Sequence, residues 1–159
     1  MASKYNWRSF ANSNMTTQLL KLNADAIKYS IEIDEDVIAR HNNELKKHIE
    51  IIAWPAVVSA CCFKSSLIVH SHSKCLTNTK FDLRLMKKFN QLGGIKYGHV
   101  PGCENKLGHC AEQRAANDLL YHVKDRKRKI KDILFSKAIR PRTMMEIPMC
   151  DNCCYVFDK

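Results

Sequence analysis

Nowhere is this chain apolar for the ~18 residues that a membrane-spanning helix needs. The longest apolar candidate, Ile51 to Phe63, is too short and reads as a buried strand region. The opening residues, MASKYNWRSF, lack the apolar core of a secretory leader. Internal repeats and low-complexity tracts are also missing, which argues against a repeat architecture. Acidic residues are scarce: 16 Asp and Glu stand against 26 Lys and Arg, a net charge of +10. With no membrane span to expect, such an excess favours polyanionic partners, because phosphate backbones release counterions when Lys or Arg binds them. The plainer reading of the charge is simple solubility.

What is present fits one globular unit. A chain of 159 residues can bury a real core without covalent staples. Eight cysteines occur, at 61, 62, 75, 103, 110, 150, 153 and 154. Without a leader, and with two adjacent pairs, they read as thiols in a reducing compartment, which points to the cytoplasm and to a metal site.

The first dozen residues, rich in Ser and Asn, read as a loose lead-in. Thr16 or Thr17 can cap a helix running to about Ile31, and a second helix is expected from near Asp34 to about Ile51. These give an N-terminal helical extension over residues 1–52, packing on a core domain of residues 53–159. Ala56 to Phe63 and Leu67 to His70, separated by Lys64-Ser65-Ser66, predict a β-hairpin. Asp82 to Gln91 predicts a short helix ended by Gly93-Gly94. A loop follows from Gly98 to Gly108. Cys110 to Val123 is helical, with Ala111, Ala115, Leu119 and either Ala116 or Leu120 as its buried stripe. Ile130 to Ile139 reads as a strand that Arg140-Pro141-Arg142 ends, and Ile147-Pro148 leads into a last short helix. Strands alternating with helices predict an α/β sheet in two or three layers.

Two segments carry chemistry. Cys110-Ala111-Glu112 places a thiol and a carboxyl two residues apart where a helix begins, and Cys150-Asp151-Asn152-Cys153 places two more thiols on one helical turn. Helix N-termini favour the thiolate form, and a metal completes the deprotonation. Three thiolates can hold one zinc and leave its fourth position open for water. A carboxylate that is not a ligand can then move protons. The rival reading is a closed structural site with Cys103 or His109 as fourth ligand.

HCAEQRA at His109 to Ala115, followed by PMCDNC at Pro148 to Cys153, resembles the paired zinc motifs of the cytidine deaminase-like superfamily. The resemblance covers about the C-terminal third of the chain. It implies a central mixed sheet with flanking helices, one Zn²⁺ per chain on Cys110, Cys150 and Cys153, and Glu112 as the proton shuttle. It departs from the family pattern at Met149, which separates Pro148 from Cys150. The compact ending after Cys153 and the basic charge look like the toxin-type deaminases of bacterial conflict systems. Those act on nucleic acid and imply a cognate inhibitor (immunity) protein and delivery into a target cell's cytosol.

The expected reaction is hydrolytic conversion of cytosine to uracil in DNA or RNA. The alternatives are a deaminase of free cytidine or deoxycytidine, and a non-enzymatic zinc-stabilised nucleic-acid-binding protein. Tyr97, in a glycine-bounded loop, is the surface aromatic best suited to stack on a base. His109 is a candidate at the site. Arg140 and Arg142 are expected near its mouth, and the basic run from Lys124 to Lys129 is a further candidate for phosphates. His70 and His72 read as a polar strand end.

Overall fold

The computed structural model describes residues 21–32, 55–64, 66–73, 79–141 and 143–159. The expected helix from Asp34 to Ile51, the caps at Thr16 or Thr17, Cys75 and Arg142 lie outside the described residues. Four helices and a five-stranded sheet make up the described fold, which is α/β as the sequence predicts. Among the described residues no helix is long and apolar enough to cross a membrane.

Strand β1 (Val58–Cys62) is buried along its whole length and forms the centre of the sheet. It pairs on one side with β2 (Val69–His72), giving the predicted hairpin. On its other side lie β3 (Leu134–Phe135) and then β4 (Ala138–Arg140), with β5 (Met145–Ile147) at the edge beyond β4.

Every pairing is antiparallel, where the resemblance implies a mixed sheet. The connections explain this. The β1–β2 and β4–β5 links are short reversals, which can only join antiparallel neighbours. The long helical crossover from β2 to β3 skips over β1, so the two like-directed strands flank β1 instead of pairing with each other.

Side chains alternate along β1. Ala60 and Cys62 face α1 (residues 21–32), meeting its Leu22 and Ala26. Cys61 and Phe63 face the main core with Leu85 and Phe89 of α2 (Leu83–Gln91), Leu119 of α3 (Ala111–His122), and Val156 and Phe157 of α4 (Asp151–Phe157). The sheet is therefore covered on both faces. Helix α3 lies across β1 and β2.

Local chemistry sets the helix ends. Asp82 caps α2, its carboxylate accepting the Arg84 N–H at 2.9 Å. At the other end Gly94 N–H reaches Phe89 O and Gly93 N–H reaches Asn90 O, the paired bonds of a Schellman cap, with Gly93 at φ 103°.

The predicted strand from Ile130 to Ile139 is broken. Ile130–Asp132 forms a 3-10 turn, and Ser136 and Lys137 interrupt the ladder between β3 and β4. At the break Ser136 N–H donates to Ala60 O at 2.8 Å, and its hydroxyl accepts the Ala60 N–H at 2.9 Å. A side-chain oxygen thus replaces a ladder carbonyl. Asn23 of α1 takes the Lys137 N–H at 2.7 Å. Strand β5 is a further departure. Arg140 ends β4 as expected, but the sheet goes on: its carbonyl accepts from Thr143 and Met144, Met144 adopts φ 55°, and the chain turns back into β5, which the sequence did not announce.

Candidate metal centre

Three elements converge on one point. Cys110 is the N-cap of α3 and Cys150 the N-cap of α4, and neither sulfur is spent on capping its helix. Strand β5 runs into Pro148-Met149-Cys150 and so delivers α4 to the start of α3. Cys153, fully buried one turn into α4, completes the group. The Sγ atoms of Cys110, Cys150 and Cys153 all lie within 4.8 Å of one another, and Cys110 and Cys150 are 3.6 Å apart.

These residues fit a metal ion. Tetrahedral zinc with Zn–S bonds of about 2.3 Å separates two sulfurs by about 3.8 Å. The donor chemistry agrees. Hydrogen bonds from Cys110 and Cys153 hold the Cys150 thiol far below its ordinary range, at about 2, while the Cys110 thiol is raised by its bond to Cys150 and the Cys153 thiol by its bonds to Cys110 and Cys150. One negative charge settles on the trio readily; three need a cation among them.

No fourth His, Cys, Asp or Glu among the described residues joins the group. Cys103 and His109, the candidates for a closed site, stand outside it. So does Glu112. Its side chain is nonetheless close: Glu112 lines a cavity of about 160 Å³ together with His109, Cys110 and Cys150, walled by Val57, Ile147 and Pro148. Glu112 is buried, only 6% exposed. Burial pushes its carboxyl up to about 7; its own backbone N–H opposes the rise and the charge on Cys150 adds to it. Glu112, Ile147 and Pro148 also line a second cavity of about 600 Å³, which extends along β3 and β4 to Lys137 and Lys159. Glu112 therefore stands where a small cavity beside the thiols adjoins a larger one.

A buried polar frame holds this arrangement, and its members escaped the sequence reading. Gln113 accepts the Gly108 N–H and donates to Cys153 Sγ at 3.4 Å. Arg114 binds Gly108 O and Thr79 Oγ1 at 3.1 Å each. Asn152 takes the Val100 N–H at 2.7 Å and donates to Asn105 O at 2.6 Å, and the Asn105 side chain bonds Cys150. One signal was available. Gln113, Arg114 and Asn117 sit on a helix whose alanines and leucines already demand burial, so these polar groups need internal partners.

The remaining candidates are placed as follows. His109 lines the thiol cavity, and burial lowers its pKa, helped by Lys106 and Arg114. Tyr97 lies on the rim of a neighbouring cavity that shares Asn105 with the thiol cavity. Arg140 is exposed at the turn end of β4, opposite Met145, and lines neither cavity that holds Glu112. The other end of the hairpin, where Ala138 meets Ile147, is the end that leads to Cys150.

In the basic run, Lys124, Arg126, Lys127 and Lys129 are exposed, while the Arg128 guanidinium lies 5.1 Å above the Phe63 ring. His70 stacks on Tyr29 of α1 at 3.8 Å, a structural contact. No disulfide links the described cysteines. No family model matches the chain, and neither a curated protein nor a solved structure matches it significantly.

Proposed function

We propose that this protein is a zinc-dependent hydrolytic deaminase that converts cytosine to uracil in nucleic acid. The observation that carries the reading is Glu112: a buried carboxyl, not itself among the metal-ligand group, sharing a small cavity with Cys110 and Cys150. Structural zinc sites do not need such a group; hydrolytic ones do. The likeness of His109 to Ala115 and of Pro148 to Cys153 to the deaminase motifs supplies the reaction class.

Zinc held by Cys110, Cys150 and Cys153 would acidify a water in its open position and ready it as the nucleophile. Glu112 performs the proton work. The water oxygen bonds to C4 of the base and the C4–amino bond breaks. Of the water's two protons, Glu112 passes one to ring N3 and one to the departing amino group, so the products are uracil and ammonia. Val57, Ile147 and Pro148 wall the cavity that the carboxyl shares with Cys110 and Cys150. The polyanion preference rests on the net charge of +10 and the exposed lysines and arginines after α3.

The test is turnover of cytidine, deoxycytidine and cytosine-containing oligonucleotides, read by ammonia release and base change. Oligonucleotide cytosine is converted, and Glu112→Ala keeps one zinc per chain while losing at least ~100-fold in rate. Loss of zinc from Glu112→Ala would make Glu112 a ligand and overturn the reading. Turnover of free cytidine alone, insensitive to salt, would move the substrate to the nucleoside.

A further inference from the structure

Tyr97 is 74% exposed, yet the backbone that carries it is held rigidly. Gly98 N–H bonds Gly94 O at 2.7 Å, and a Cβ at Gly98 would meet Leu92 O at 2.5 Å, so only glycine permits this closure. Two residues on, Val100 is tied to Asn152 of α4, and Asn152 in turn holds Asn105. The ring contributes little to the core. It stands instead beside a cavity of about 490 Å³ whose rim includes Lys96, His99, Glu104 and Lys106. The Lys96 ammonium sits 5.1 Å from the centre of the Tyr97 ring. Asn105 lines this cavity and also the thiol cavity, so the two are neighbours across a single residue.

We infer that Tyr97, with Lys96 and Lys106, forms a binding site for one nucleotide of a single strand, adjacent to the residue whose base enters the thiol cavity. The adjacency to a target base rests on the function proposed above; the nucleotide site does not. An exposed ring with the Lys96 ammonium over one face and Lys106 lining the same cavity matches the two needs of a single-stranded nucleotide, a surface for the base and cations for its phosphates. Two lysines outweigh the one acid on this rim, Glu104. Asn105 then sets the step between the two sites, since its side chain touches Cys150 while its loop walls the Tyr97 cavity.

The test is fluorescence anisotropy of short labelled single-stranded DNA and RNA, measured with the zinc-loaded Glu112→Ala protein so that no probe is consumed. Adding Tyr97→Ala weakens binding roughly 5- to 150-fold, and Tyr97→Phe restores it, because stacking needs the ring and not the hydroxyl. Changing Lys96 and Lys106 together to Gln reduces the slope of log affinity against log salt by about 1.4. DNA affected and RNA not, or the reverse, assigns the sugar. Equal affinity with and without the Tyr97 ring, or a loss that Phe does not rescue, would overturn the site. The assay needs no turnover. Ring-dependent binding by a protein that deaminates nothing would therefore sustain the nucleotide site while rejecting the chemistry proposed for Glu112.

Discussion

The Gln113 side chain donates to Cys153 Sγ at 3.4 Å from the neighbouring helix while its own oxygen holds the Gly108 N–H. One amide thus fixes a sulfur of the metal group and the loop before Cys110 relative to each other. Both halves of that contact are fully buried, so water cannot substitute for either. Amide-to-sulfur bonds also stabilise the thiolate that a metal requires.

Gln113→Leu should therefore weaken zinc binding by about 10- to 100-fold, the usual effect of losing a group that orients a ligand. Chelator competition measures it. Asn117→Ala is the control. Asn117 lies on the same buried helix but holds Asp82 N–H and Lys80 O. Its loss should lower fold stability by about 1–3 kcal/mol and leave zinc affinity unchanged. Equal loss of zinc in both variants would show that general loosening, not the Gln113 amide, governs the metal.

Cys150→Ser should abolish stoichiometric zinc, whereas Cys154→Ser should keep it. Cys150 is the N-cap of α4 and Cys154 lies four residues on within that helix, but their surroundings differ. Cys150 is within 4.8 Å of both partner thiols, and Cys154 instead reaches the Met149 carbonyl at 3.8 Å. Metal analysis after gel filtration separates them. Full occupancy in Cys150→Ser would reject the ligand set.

The contrast between these sites and Arg140 shows what was legible in the sequence. Asp82, Gly93-Gly94 and the cysteines at the two helix starts act within a few residues of themselves, so their spacing alone predicts helix ends and a thiolate group. The β1–β2 hairpin is likewise a local pattern. The β4–β5 hairpin is not. Its turn uses Met144 at φ 55°, a residue type with no preference for that conformation, so no glycine or asparagine announces it. The end of the hairpin on which Arg140 falls was therefore not legible. Gln113 and Asn152 were similarly hidden, because a polar residue reveals its role only when the distant group it satisfies is known.

Asp82 ties stability to pH. The Arg84 guanidinium bonds its carboxylate at 2.8 and 2.9 Å and lowers its pKa; burial opposes this, and the Arg84 N–H and the charges on Arg84 and Arg126 reinforce it. A carboxyl whose folded pKa lies below its unfolded value of about 3.9 contributes stability above that value. The contribution is lost as pH falls through the folded pKa. Asp82→Ala should cost about 1 kcal/mol at pH 7. Asp82→Asn keeps a good cap but no charge, so its deficit against the native chain should shrink below about pH 4. Urea unfolding at neutral and acid pH measures both; a deficit that grows in acid would contradict the assignment.

Ser136→Ala tests the break that sets the cavity wall. The Ser136 hydroxyl accepts the Ala60 N–H at 2.9 Å and donates to Lys137 O at 3.0 Å. Ala60 lies in the middle of the central strand and is fully buried, so removing that oxygen strands a donor that water cannot reach. The expected cost is about 1–3 kcal/mol, or a fall of roughly 2–4 °C in Tm for each kcal/mol. Ser59→Ala is the comparison. The Ser59 hydroxyl meets Ser136 only at 3.5 Å, at the limit of a hydrogen bond, so its loss should cost less. Ser136, Lys137 and Ala138 wall the larger cavity on which Glu112 opens, and Ala138 pairs with Ile147 at the base of the hairpin that delivers Cys150. Loosening this wall should therefore also weaken zinc binding, in proportion to the stability lost. Thermal unfolding of the metal-free and zinc-loaded forms reads both effects. A Ser136→Ala protein as stable as Ser59→Ala would show that the ladder at the break closes without the hydroxyl.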